Sequence, residues 1–191
     1  MASASAVASL GVVVGVEVSR LVIISPHLDD AAFSCGSLLA AASITVQTIV
    51  VNVHGGDGVR HREDRFACRI LKTSPVYLDL ADGTPASEIR AQLVSLPEVG
   101  DVWIGPFGIR HPEHIEVAKA CEGLVDYVYE ELPYRVLWSE HMPHDVAAPF
   151  LEVPVSAVKL DAIRCYVSQL GGGPPGEALW ASERYHARVR P

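Results

Sequence analysis

Five short runs of apolar and β-branched residues constrain this chain more than any other feature of its sequence. They are Leu21–Ser25 (LVIIS), Ile44–Val53 (ITVQTIVVNV), Val76–Leu80 (VYLDL), Asp101–Pro106 (DVWIGP) and Arg135–Glu140 (RVLWSE). Their hydrophobicity is continuous rather than alternating, which marks strands buried on both faces, as in a parallel sheet. Longer amphipathic stretches between them predict helices over about 30–43, 61–72, 86–95 and 113–131, with another near 154–170. Val12–Val18 reads as an extra edge strand. This βαβ alternation predicts an α/β fold: a single-domain, open, doubly wound and mostly parallel sheet, a Rossmann-like sandwich. The domain spans residues 1–170. GGGPPG at 171–176 then reads as a turn leading into a loosely packed tail over 171–191.

Length and composition fit one globular domain. Of 191 residues, 49% are apolar and 20% charged, enough to build a sizeable core. The net charge of −8 argues against nucleic acid as a partner, because binding phosphate needs clustered Lys and Arg. No run of ~18 apolar residues is present, so no membrane span is expected. The N-terminal apolar stretch follows no basic residue and is interrupted by Glu17, unlike a signal peptide. Cys35, Cys68, Cys121 and Cys165 are scattered and form no CxxC pair. That spacing disfavours both a thiolate zinc site and a disulfide framework, and points to a reducing, cytoplasmic compartment.

Ligands bind open α/β sheets at the carboxyl ends of the strands. The first strand feeds Pro26-His27-Leu28-Asp29-Asp30, and the second feeds His54-Gly55-Gly56-Asp57. Asp82 follows the third strand, Arg110-His111-Pro112-Glu113-His114 the fourth, and His141 and His144 the fifth. Only His61 and His186 of the eight histidines lie away from this edge, with His186 expected in solvent. Chance placement would scatter them. The edge carries no GxGxxG after the first strand, so a dinucleotide site has no support.

His27 and Asp30 are three apart at a strand-to-helix junction, where both can turn toward one point. Imidazole and carboxylate are suitable ligands for Zn²⁺. Capping of the next helix accounts for one aspartate, but not for a second aspartate beside it with a histidine three residues earlier. Pro112 suits the first turn of a helix, placing His111 near its cap and His114 one turn inside. His27, Asp30 and His114 therefore form a candidate two-His, one-carboxylate metal site, with one position left for water as in catalytic zinc centres. Asp29 can face the same cavity without binding the ion. Trp103, Trp138 and Tyr127 fit core positions.

Pro26-His27-Leu28-Asp29-Asp30 and His111-Pro112-Glu113-His114 resemble the motifs of the PIG-L/LmbE-type zinc-dependent de-N-acetylases. Weaker matches are Arg62-Glu63-Asp64, Asp82-Gly83, and Lys159-Leu160 with Tyr166-Val167-Ser168-Gln169, so the resemblance spans roughly residues 20–170. It implies one zinc per chain on His27, Asp30 and His114, with Asp29 as general base. His111 would be the second catalytic group, stabilising the oxyanion or protonating the leaving amine. Arg62 and Asp82 would contact substrate, with Arg110, His141 and His144 as further candidates at the mouth. The implied reaction is hydrolysis of an N-acyl, chiefly N-acetyl, group from a small molecule such as an amino sugar. A zinc amidase or esterase on another substrate, or a catalytically idle metal-binding relative, are the alternatives. Two departures stand out: Ala31 where the family often has an acid, and Ile109 where some members carry an oxyanion-binding tyrosine. The implied partner is a small molecule, and a short chain with an open site makes a homo-oligomer reasonable.

Overall fold

The computed structural model describes residues 18–98, 100–138, 148–171, 176, 179 and 181–188. Its strands are β1 (Arg20–Ser25), β2 (Gln47–His54), β3 (Ser74–Leu80), β4 (Asp101–Pro106), β5 (Tyr127–Tyr129), β6 (Leu151–Val153) and β7 (Glu183–Ala187). The helices are α1 (Asp30–Ala42), α2 (Gly58–Leu71), α3 (Ala86–Leu93), α4 (Pro112–Ala120), α5 (Tyr134–Leu137), α6 (Ala157–Ile163) and α7 (Val167–Leu170). They build one sheet in the order β3-β2-β1-β4-β5-β7-β6. Strands β1 to β5 pair in parallel, with Ile23 between Val50 and Ile104, while β7 runs antiparallel to both neighbours. This is the mostly parallel, open α/β architecture that the apolar runs predict.

The continuous hydrophobicity of the strands follows from two cores. Leu21 and Ile23 pack with α1, α2 and α6 on one face, whereas Val22 and Ile24 pack with α3 and α4 on the other. Neighbouring residues of β1 are thus buried in opposite directions. At the start of the strands, Arg20 donates twice to Asp101 (2.7 and 2.6 Å), tying β1 to β4. The four cysteines are unpaired, and all but Cys165 are buried as small apolar groups.

Several expected boundaries differ. The helix expected over 113–131 ends at Ala120, and Gly123 turns the chain at φ 72°. The following Tyr127-Val128-Tyr129, buried on both faces, becomes β5. The run expected as a strand at 135–140 contains instead the helical turn α5, and its residues 139–140 lie outside the described chain. The helix expected over 154–170 divides into α6 and α7 around Arg164–Tyr166. Of the expected edge strand at 12–18, only Val18 is described, and it is not in a strand.

Residues 183–187, read from sequence as part of a loose tail, form β7 inside the sheet. Buried Glu183 accepts from the amides of Ser37 and Leu38 in α1 and pairs with buried Lys159 of α6 at 3.0 Å. His186, expected in solvent, is buried with Nε2 2.8 Å from Glu130. Among the described residues no helix is long and apolar enough to cross a membrane.

Candidate metal centre and catalytic pocket

The strand order reverses direction between β1 and β4, the place where open α/β sheets bind their ligands. Both motifs arrive there. Beyond β1, the Ser25 hydroxyl donates to the His27 carbonyl (2.6 Å) and accepts from the Ala31 amide (3.0 Å), fixing a tight turn into α1. The turn is also supported from below. The Tyr166 hydroxyl lies 2.9 Å from the Leu28 carbonyl and 3.0 Å from Asp64, which also accepts from Tyr77 (2.6 Å). Glu63 accepts from the amide and hydroxyl of Ser168. These weaker sequence matches therefore brace the loop that carries the chemistry.

Three ligand atoms converge from the two strand ends. His27 Nδ1 is 3.2 Å from Asp30 Oδ2 and 3.2 Å from His114 Nε2, and His114 Nε2 is 3.1 Å from Asp30 Oδ2. Ligands about 2.0–2.1 Å from a tetrahedral zinc would be separated by roughly 3.4 Å. The triangle matches that spacing to a few tenths of an ångström, and these residues could hold a metal ion. His27 and Asp30 come from one turn, while His114 is 87 residues from His27 along the chain. His114 is fully buried, and its Nδ1 faces Glu131 Oε1 at 3.4 Å. Glu131 is itself held by the amides of Phe107, Gly108 and Ile109. Such a carboxylate behind a ligating histidine fixes the ring and strengthens it as a donor.

The charges agree with a cation site. Burial opposes charge on Asp30, but His114 and His27 outweigh it and hold its carboxyl well below the usual value. Burial lowers His114, yet Asp30 and Glu131 outweigh that and raise it to about 10.

Asp29 occupies the cap position of α1, but its side chain caps nothing. It lies in the cavity, with Oδ1 3.4 Å from Arg60 Nη2. Burial first, then the Asp30 charge, raises it to about 6 against the pull of Arg60 and His27. That value suits a carboxylate that takes a proton near neutral pH. His111 occupies the N-cap position of α4 without a side-chain cap bond, and its Nδ1 is 2.7 Å from Glu113 Oε2. Burial and the nearby His114 lower its pKa, despite Glu113.

These groups open onto a cavity of about 520 Å³. His27, Asp29, Asp30, Asp82 and His111 line it, with His114 buried against Asp30. Arg62 does not; it is exposed on α2, while Arg60 lines the cavity. Two residues along a helix turn about 200°, so the two arginines point in nearly opposite directions. Arg110 is also outside the lining, with its guanidinium 4.5 Å above the Trp138 ring. His141 and His144 lie outside the described residues. Ile109 is buried and offers no side-chain donor. Sequence reasoning missed Arg60, Glu131 and Tyr134. Tyr134 lines the cavity, and no short-range motif marks it.

His27, Asp30 and His114, with the Asp29 carboxylate beside them at the switch point of an open α/β sheet, make a cluster that could hold a metal ion. No protein-family model matches the chain, and no curated protein matches it. Solved structures do match. The zinc-inhibited form of teicoplanin deacetylase aligns with a TM-score of 0.67 at 20% identity, covering 87% of this chain and 97% of that one. N,N′-diacetylchitobiose deacetylase from Pyrococcus horikoshii aligns at 0.63 and 17% identity, covering 89% and 84%. The 4-carboxy-2-hydroxymuconate hydratase GalB from Pseudomonas putida KT2440 aligns at 0.63 and 15%, covering 90% and 98%. The chain thus has the fold of these deacetylases, as its resemblance to the PIG-L/LmbE type implies. Because a hydratase shares that fold, the chemistry has to be argued from the site.

Proposed function

We propose that this protein is a zinc-dependent hydrolase that removes an N-acyl group, chiefly acetyl, from a small amine such as an amino sugar. The observation that carries this reading is the triangle of His27, Asp30 and His114 with the Asp29 carboxylate beside it, outside the triangle and free of any helix-cap bond. Same-fold proteins that act as deacetylases, one of them in a zinc-inhibited form and one named for an N-acetylated sugar, support it.

Zinc bound by these three residues would supply an activated water and a Lewis acid. The chain's own groups do the rest. Asp29 accepts a proton from water as the new C–O bond forms at the amide carbonyl. His111, with Nδ1 2.7 Å from Glu113, gives a proton to the nitrogen as the C–N bond breaks, releasing carboxylate and free amine. Arg60 keeps Asp29 oriented and ionised. The polar cavity accommodates a small molecule.

Metal analysis of the purified protein tests this reading, together with acetate release from a panel of N-acetyl amino sugars with and without chelator. One zinc per chain and chelator-sensitive release are expected. Bound zinc with no hydrolysis, but with hydration of an unsaturated acid, would move the assignment toward the hydratase that shares the fold.

A further inference from the structure

We propose that Tyr134 is a catalytic residue whose hydroxyl donates a hydrogen bond to the carbonyl oxygen of the scissile amide; this rests on the deacylase reading above. Water attack assisted by Asp29 leaves negative charge on that oxygen, and a donor must already be in place to meet it. Among the described groups the candidates are few. Asp29 and Asp30 are acceptors, Arg60 is paired with Asp29, the cavity-lining Gln169 amide donates to Ser168, and His111 is assigned above to the leaving nitrogen.

Tyr134 opens α5 and lines the same cavity as His27, Asp29 and His111. Its ring meets His114 edge-on, with centroids 5.0 Å apart, and lies 6.0 Å from His111. It is therefore adjacent to the cluster where the reacting carbonyl must sit. Among the described residues its hydroxyl has no hydrogen-bond partner, and the residue lines the cavity that a substrate oxygen would enter.

The ring is also held in place. Trp138 stacks on Tyr134 at 5.6 Å and 27°, and the Arg110 guanidinium caps Trp138 at 4.5 Å. Arg110, at φ 61°, lies over that indole and does not line the cavity. The series His114, Tyr134, Trp138, Arg110 leaves the phenol little freedom, which is what a preorganised donor requires. In the reaction the Tyr134 proton stays on its oxygen. Water loses its proton to Asp29, the C–N electron pair goes to nitrogen, and His111 protonates that nitrogen. Tyr134 lowers the barrier only through its hydrogen bond.

The test compares zinc-loaded wild type, Tyr134→Phe and Trp138→Leu by acetate release from the same panel of N-acetyl amino sugars. Tyr134→Phe keeps the ring and its stacking, so zinc content and thermal melting should match wild type. Its kcat should fall about 10²–10³-fold with KM nearly unchanged, the size of effect seen for one lost oxyanion donor. Trp138→Leu should lose kcat about tenfold with zinc retained, because the phenol is less restrained. Wild-type turnover that survives Tyr134→Phe within threefold overturns the Tyr134 assignment alone. A wild type that takes up zinc and releases no acetate from any panel member overturns the deacylase reading, and this assignment with it.

Discussion

Asp29 and Asp30 are adjacent and both buried, yet their surroundings assign them opposite tasks. Asp30 faces two imidazoles and stays ionised, whereas Asp29 faces Asp30 and is raised to about 6. Asp29→Asn removes the proton acceptor without touching the triangle. It should retain one metal per chain while kcat falls by roughly 10²–10⁴, read by metal analysis and acetate release. Glu131→Gln acts one layer out. It weakens the hold on His114 and should raise the zinc Kd by about 10–100-fold, measured by competition with a chromophoric chelator. His27, Asp29, Asp30, His111 and His114 were legible in sequence because each motif lies within one turn of chain. Glu131, Arg60 and Tyr134 were not legible. They reach the pocket only through tertiary packing, and Glu131 sits in a segment whose hydrophobicity resembles that of a helix.

At the scale of elements, buried parallel strands announce themselves through continuous apolar runs, and β1 to β4 were readable for that reason. β5 is three residues long, and β6 and β7 carry polar residues among apolar ones, so their pairing is invisible locally. The junction of β1 and β4 also carries a pH dependence. Burial pushes the Asp101 carboxyl up, but hydrogen bonds from Arg20, the Glu98 amide and Trp103 hold it below its ordinary value. A carboxyl lowered on folding contributes stability above its unfolded pKa of about 3.9 and loses it as pH falls through the folded value. Arg20→Ala should therefore destabilise the protein at pH 7, by about 2 kcal/mol in urea melts. The difference from wild type should shrink below pH 3.9.

For the molecule as a whole, the residues that could hold a cation come from distant parts of the chain, so occupancy should be felt in global stability. An ion that binds the folded chain alone, at a thousand times its Kd, adds about 4 kcal/mol. Stripping it with chelator should lower Tm by roughly 10 °C for a chain of this size, with recovery on adding zinc back. A melting curve indifferent to chelator and zinc would place the ion elsewhere or nowhere. The overall architecture was legible because layer order follows from βαβ alternation. The placement of residues 183–187 was not, because GGGPPG marks a turn without saying where the chain returns.

The divided origin of the ligand set has a practical consequence. His27 and Asp30 precede the exposed turn at Gly83, where φ is 79° and no other atom lies near an added Cβ, and His114 follows it. Severed at that turn, the chain would yield two fragments, each holding an incomplete coordination shell. Zinc would then act as a latch between them, and metal uptake would report their reassembly as a split-protein sensor does.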